Sequence, residues 1–117
     1  MKILIHFTHT PYGSDASREL LDMALAHATF GHQVSLVFSG EGIFNLLPDQ
    51  LAKPAGRKEF TRLFKGLDLY DIEKLYVVND DLDALNLKQD QLIDGIEPIK
   101  LGSLGALFAA NNQVISL

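Results

Sequence analysis

Runs of β-branched and aromatic residues alternate along this chain with segments that have helical patterns. The runs are residues 2–9, 33–39, 74–78, 97–101 and 113–117. Strands that alternate with helices form right-handed crossovers, which give a parallel sheet with helices on both faces. The alternation therefore predicts a single α/β domain over residues 1–117, with three α/β/α layers and a largely parallel sheet of about five strands.

Two longer helices are predicted between these strands. Ser14 or Asp15 can cap the first helix, which Gly31 ends, because a side-chain oxygen at the N-cap accepts a hydrogen bond from the first turn. The second helix has apolar residues at positions i, i+3, i+4 and i+7, which is the spacing of one buried helix face. These apolar residues are Phe60, Leu63, Phe64 and Leu67.

Two shorter helices are predicted in the second half of the chain. Asp80 or Asp81 is expected to cap a helix over residues 82–85, because an aspartate at the N-cap satisfies backbone N–H groups of the first turn. Ser103 is expected to cap the last helix. The residues of this last helix that are predicted to face inward are Leu104, Leu107 and Phe108.

Acidic side chains outnumber basic ones, and the formal net charge is −5. Residues 79–97 contain six acids and one base, Lys88, so this stretch would repel a phosphate backbone. The basic cluster within residues 57–65 is small and is interpreted as the solvent-facing side of a helix. Direct binding of nucleic acid is therefore not expected.

The chain contains no cysteine, so it can form no disulfide. The apolar run at residues 3–5 is too short for a signal peptide, and no stretch is long enough to span a bilayer. These features together predict a cytoplasmic protein that has no membrane contact.

Ligands in open α/β sheets bind beyond the carboxyl ends of the strands. The loops expected there are residues 8–15, 40–42, 79–83 and 101–103. None has a dinucleotide-binding glycine pattern or a phosphate-binding loop, and the G-x-S-x-G pattern of serine hydrolases does not occur. Residues 8–14 could offer backbone N–H groups to an anion. A free-standing binder of a small anion or nucleotide is therefore one alternative, and an ordinary turn is the other.

The histidines and the acidic cluster do not predict a metal site. His6 and His9 are three positions apart on a predicted strand and would point to opposite faces, so they cannot bind one metal together. His32 lies near the end of the first helix, where positive charge interacts favourably with the helix dipole. The aspartates of residues 80–83 could attract Mg²⁺, but helix capping explains them without a ligand. No catalytic residue, cofactor or metal is predicted.

Three segments resemble a known family. Residues 40–50 (GEGIFNLLPDQ) are similar to the [D/E]-G-V-[F/Y]-x-L-L-P-x-Q signature of the TusC/DsrF subunits of the DsrEFH family. Residues 64–73 (FKGLDLYDIE) are similar to the F-x-x-L-x-L-Y-D-I-E stretch of the same subunits. Residues 10–14 (TPYGS), with Arg18 and Glu19 in the following helix, resemble their N-terminus. The resemblance covers nearly the whole chain.

This resemblance implies a subunit of a TusBCD-type heterohexamer, with TusB-like and TusD-like subunits as partners. Such a complex relays persulfide sulfur toward 2-thiolation of the tRNA wobble uridine, and a DsrF-type role in sulfur oxidation is the alternative. In this family the sulfur carrier is a cysteine of the TusD/DsrE subunit, near the end of its third strand. Residues 76–79 (YVVN) stand there in this chain. Since they have no thiol, the resemblance implies a non-catalytic subunit that meets cysteine-bearing carriers only indirectly.

Residues 43–47 form a short apolar helical turn that Pro48 closes. Apolar side chains on such a loop-like element often belong to an interface. Phe44, Leu46 and Leu47 are therefore predicted to form a contact patch, with packing in the core as the alternative.

Overall fold

The sheet is fully parallel in the computed structural model, which describes residues 1–11, 15–48 and 63–117. Its strands are β1 (Lys2–Phe7), β2 (Gln33–Phe38), β3 (Lys74–Val78), β4 (Ile96–Ile99) and β5 (Gln113–Ser116). Their spatial order is β4-β3-β2-β1-β5, so β4 and β5 are the two edges. The five predicted strands and the parallel sheet are confirmed.

Helices and 3-10 segments connect the strands. The α-helices are α1 (Ala16–Thr29), α2 (Asn79–Ala84) and α3 (Leu104–Ala109). The 3-10 helices are Gly40–Leu46, Leu63–Tyr70, Gln89–Gln91 and Leu101–Ser103. Helices cover both faces of the sheet, so the predicted three-layer α/β/α architecture is also confirmed.

Helix α1 has the position that the sequence predicts, but its start is different. Asp15 occupies the N-cap position without making a side-chain capping hydrogen bond, and Ser14 lies outside the described residues. Gly31 has a φ of 86° just beyond the helix, a left-handed conformation that glycine adopts without steric cost. The predicted end of the helix is therefore confirmed, whereas the predicted cap at Asp15 is wrong.

The second predicted helix is a 3-10 helix where it is described. Phe64 and Leu67 are buried, but Leu63 is 45% exposed, and Phe60 lies outside the described residues. A 3-10 helix has three residues per turn, so side chains three apart share one side and their immediate neighbours do not. The α-helical spacing correctly identified two core residues and wrongly included Leu63.

Helices α2 and α3 also begin without the predicted caps. Helix α2 starts at Asn79 with Val78 at its N-cap, so Asp80 and Asp81 lie inside the first turn. The Ser103 side chain makes no capping hydrogen bond to α3. The predicted inward face of α3 is confirmed, since it packs against the sheet residues Leu4, Val37 and Val78 through Leu104, Leu107 and Phe108.

The two faces of the sheet are packed unequally. The first face carries alternate residues such as Ile5 and Leu36 and packs against α1, α2 and two of the 3-10 helices. The second face is covered by α3, whose six residues extend only about 9 Å. Three residues of this second cluster are fully buried, namely Leu4, Val37 and Val78. The main hydrophobic core therefore lies between the first face and α1.

Candidate functional site

The carboxyl edge of the sheet gathers polar groups from four loops. Because all strands are parallel, the residues that follow β1, β2, β3 and β4 lie along the same edge. These are the loops at which open α/β sheets bind their ligands. The carboxyl edge is therefore the candidate functional site.

Two aspartates of α2 tie neighbouring loops together at this edge. Asp81 Oδ2 accepts a hydrogen bond of 2.8 Å from the backbone N–H of Gly40, which follows β2. Asp80 Oδ1 accepts one of 2.8 Å from the backbone N–H of Leu101, which follows β4. The two carboxylates therefore bridge loops and do not cap α2. In the described part of the chain, no group of three or more His, Cys, Asp or Glu side chains is placed to hold a metal ion.

His6 and Ser39 form a polar pair at the ends of β1 and β2. The distance between His6 Nε2 and Ser39 Oγ is 2.6 Å, and the half-buried imidazole ring lies 5.3 Å from the ring of Phe108. Burial lowers the pKa of His6, and the negative charge of Asp81 opposes this shift. His6 is therefore held mainly neutral near pH 7, in a form that can both donate and accept a hydrogen bond.

The buried side chain of Asn45 holds the loop that follows β1 in place through hydrogen bonds. Its side chain is fully buried, and Nδ2 donates hydrogen bonds of 2.9 Å to the carbonyl oxygens of His9 and Gly42. Ser17 Oγ donates a third hydrogen bond, also of 2.9 Å, to the carbonyl oxygen of His9. Among the residues that the structure describes, nothing donates a hydrogen bond to Asn45 Oδ1. The position of His9 is thus set by buried side chains of two different elements.

Gly42 allows the loop after β2 to approach β1 closely. A Cβ atom at this position would overlap the carbonyl group of Phe7, which is a backbone group and cannot rotate away. Only a residue without a side chain fits such a contact. The glycine of the GEG sequence at residues 40–42 is therefore required by packing against β1.

The remaining histidines lie apart from the His6–Ser39 pair. His9 lies beyond the end of β1, and the distance between its Nε2 and the carbonyl oxygen of Leu117 is 2.8 Å. His27 and His32 lie together near the C-terminal end of α1, with ring centroids 5.5 Å apart. The structure therefore brings His6 and His9 to different hydrogen-bond partners and not to one shared ligand.

The turn between β3 and α2 is where the family resemblance would place a sulfur-carrying cysteine. Val77 and Val78 are buried there, and Asn79 is exposed at the start of α2. An amide side chain can form hydrogen bonds but cannot form a persulfide. The carboxyl edge can therefore orient a polar group, whereas it offers no thiol for covalent sulfur transfer.

The predicted contact patch divides into buried and half-buried members. Leu46 is fully buried in the main core, whereas Phe44 and Leu47 are half-buried. Leu47 packs against the edge of the same core. A contact with another chain at this place would therefore involve Phe44 and Leu47, and Leu46 would support them from the core.

A separate cavity lies at the opposite, amino edge of the sheet. Its volume is about 320 Å³, and the side chains at its rim include two bases and two acids, Lys2, Lys74, Asp71 and Glu73. Opposite charges in equal number give no preference for an anion or a cation. The cavity is thus remote from the carboxyl-edge groups and does not contribute to the candidate site.

Sequence reasoning found the aspartates of the site but missed Ser39, Gly42 and Asn45. Ser39 ends the second predicted strand and Gly42 lies in the predicted turn that follows it, and their close approach to β1 depends on the strand order. Asn45 interrupts the apolar run of residues 43–47, and a polar residue inside such a run is a signal that could have indicated a buried hydrogen-bonding role.

Comparisons with known proteins agree with this fold. A profile of the DsrE/DsrF-like family matches residues 1–117. The Protein TusC homolog of Haemophilus influenzae is 35% identical over 117 residues, which cover 92% of this chain and 98% of that protein. The intracellular sulfur oxidation protein DsrF of Allochromatium vinosum is 33% identical over 84 residues, or 72% of this chain and 62% of that protein. No α-helix in the described ranges is long and apolar enough to cross a membrane.

Among solved structures, the ychN protein from E. coli has the same fold. The TM-score is 0.81 at 19% sequence identity, and the match covers 100% of this chain and 99% of that chain. A protein of unknown function from Methanobacterium thermoautotrophicum, MTH1491, matches with a TM-score of 0.63 at 13% identity, over 96% of each chain. At these identities the similarity is one of fold.

Proposed function

Because this chain belongs to the DsrE/DsrF-like family, with TusC-type and DsrF-type relatives, we propose that it is a non-catalytic subunit of a TusBCD-type sulfurtransferase complex. In this role it stands beside TusB-like and TusD-like subunits in a cytoplasmic heterohexamer. The complex passes persulfide sulfur toward 2-thiolation of the tRNA wobble uridine. The chain shapes the complex, and the sulfur is carried by cysteines of its partners.

The observation that carries this proposal is the composition of the β3–α2 turn. The exposed residue at the start of α2 is Asn79, and the whole chain contains no cysteine. A persulfide forms on a thiolate, so no side chain of this chain can accept sulfur covalently. Elsewhere at this edge, His6 is hydrogen-bonded to Ser39, and Asp81 accepts a hydrogen bond from the backbone of Gly40, which suits a supporting surface.

Intact mass spectrometry tests this division of roles. The chain is co-expressed with the family members encoded beside it, and the purified complex is incubated with a cysteine desulfurase and cysteine. We expect an added sulfur atom on a cysteine-bearing partner and an unchanged mass for this chain. An added sulfur on this chain would contradict the proposal, and so would a chain that binds none of the co-expressed proteins.

The variant Asn79→Cys supplies a matched control. It introduces one thiol at the exposed turn where the family resemblance places the carrier. In the same incubation, or with inorganic polysulfide, this variant is expected to gain one sulfur atom, which shows that the measurement detects a persulfide at this position. The wild-type chain serves as the thiol-free reference for this variant.

The tRNA role is distinguished from sulfur oxidation by analysis of nucleosides. Deleting the gene for this chain is expected to lower 2-thiouridine derivatives in total tRNA, and expression of the wild-type chain is expected to restore them. Unchanged 2-thiouridine, together with a loss of sulfur oxidation, would instead assign the chain to a DsrF-type role.

A further inference from the structure

The cavity at the amino edge of the sheet has no part in the proposed function. Its volume of about 320 Å³ is at the small end of the range for ligand pockets, ~300–1,000 Å³. Its floor lies on the second face of the sheet, where Ser35 stands between Leu4 of β1 and Lys74 of β3. Leu4 is fully buried against α3, and the small side chain of Ser35 leaves a depression beside it. The size of this depression suits a small molecule.

One wall of the cavity is apolar. Helix α3 has no charged side chain and contributes Leu107, and Ala110 follows at its end. The ring of Tyr76 packs against the same apolar cluster as Leu107. An aliphatic group would be removed from water here, whereas the hydroxyl groups of Ser35 and Tyr76 can form hydrogen bonds with a polar part of the same ligand.

The charges around the cavity are separated into two ends. Lys2 of β1 stands at one end, and Asp71, Glu73 and Lys74 stand together at the start of β3. All four side chains are exposed, and among the described residues no ion pair forms between any two of them. Two acids and one base leave a net negative charge at the β3 end, opposite the positive charge of Lys2. The cavity is therefore neutral as a whole but has a positive end and a negative end.

The distance between these ends limits the length of a ligand. Strands β1 and β3 lie on either side of β2, and neighbouring strands are about 4.8 Å apart, so the two ends are separated by about 10 Å. Two extended residues span up to about 7 Å. A charge-assisted hydrogen bond at each terminus adds about 2.8 Å. The two termini of a dipeptide can therefore reach both ends, whereas a single amino acid carries both charges on one residue.

We propose that this cavity binds a zwitterionic dipeptide that has an apolar side chain. Its terminal carboxylate accepts hydrogen bonds from Lys2, and its terminal ammonium group donates to Asp71. Its aliphatic side chain lies against Leu107. Exposed charges contribute little each, and a ligand of this size has few atoms, so the dissociation constant is expected to be roughly millimolar.

An NMR titration of the isotopically labelled full-length chain with L-alanyl-L-leucine tests the site. We expect saturable shifts of backbone N–H signals at cavity residues such as Lys2, Ser35 and Tyr76. The N-acetylated dipeptide and the dipeptide amide each lack one terminal charge, and each is expected to bind about fivefold more weakly. No saturable shift at the cavity up to roughly ten times the expected dissociation constant would overturn the proposal. Equal binding of the charged and blocked forms would also overturn it.

Two variants assign each terminus of the dipeptide to its partner. Lys2→Gln is expected to weaken the free dipeptide about fivefold and to leave the dipeptide amide unchanged, because the amide has no carboxylate to lose. Asp71→Asn is expected to weaken the free dipeptide and to leave the N-acetylated form unchanged. Asparagine tolerates the positive φ of 63° at this position as aspartate does. Loss of all forms alike would indicate a structural role and contradict the assignment.

Lys100→Gln is the matched control, because Lys100 is an exposed lysine that follows β4 at the opposite edge of the sheet. This variant is expected to bind every form of the dipeptide as the wild type does. An equal loss in Lys100→Gln and Lys2→Gln would show a general effect of net charge and would overturn the site. Urea unfolding of each variant checks that the fold is intact, and none of these outcomes affects the persulfide measurement.

Discussion

The two faces of this sheet differ in how completely they are packed. On the first face, three aromatic rings meet: Phe7 stacks on Phe38 at 4.7 Å, and Phe64 meets both rings edge-on. On the second face, α3 covers a few apolar residues, and His6 contacts Ser39 where the strands end. The first face is a closed core, whereas the second remains partly open to solvent.

The unequal packing implies that the two faces contribute unequally to the free energy of folding. Burial of apolar area dominates the free energy of folding, so the first face supplies most of the stability. The second face contributes less and can retain a polar pair and an uncharged outer surface. Substitutions on the first face should therefore lower the unfolding free energy more than substitutions on the second face, where His6 can also give a pH response.

The largest predicted effect comes from placing the same substitution on both faces. Phe7→Ala is expected to lower the unfolding free energy by about 3–5 kcal/mol, because it removes a fully buried ring and leaves a cavity. Phe108→Ala on the half-covered face is expected to lower it by about 1 kcal/mol, because the ring is only partly buried. Urea unfolding at constant pH measures both values. Equal losses for the two variants would show that the faces contribute alike.

A second pair of substitutions compares two glycines. Gly42→Ala is expected to destabilise the fold by about 1–3 kcal/mol, because its methyl group would overlap the backbone of Phe7. Gly105→Ala in α3 is expected to stabilise it by about 0.5–1 kcal/mol, since nothing lies near the added methyl group and alanine favours a helix. The same unfolding measurement detects the opposite signs. A stable Gly42→Ala protein would show that the loop after β2 is not held against β1.

The sequence predicted the apolar packing on both faces of the sheet better than the polar contacts at its carboxyl edge. The alternation of strand-like runs with helical segments was sufficient to predict a parallel sheet with helices on both faces. Leu63 was misplaced because apolar spacing does not distinguish an α-helix from a 3-10 helix over two turns. The partners of Asp80 and Asp81 could not be predicted either, because Gly40 and Leu101 are distant in sequence and become neighbours only through the strand order.

The smallest predicted effect is a pH response from the second face. Burial lowers the pKa of His6 in the folded chain, so between this lowered value and the ordinary value of about 6.5 the unfolded chain binds more protons. As the pH falls through this window, the wild type should lose stability that His6→Gln retains, because glutamine does not titrate. Outside the window, the difference between the two unfolding free energies should be independent of pH.

The difference between wild type and variant isolates His6, since the other titrating groups are common to both proteins. It also separates two views of the second face. If the difference is constant at all pH values, folding does not shift the pKa of His6, and the attraction of Asp81 balances the effect of burial. If the wild type gains stability as the pH falls, the attraction of Asp81 outweighs burial, and the carboxyl edge favours a positive charge at His6.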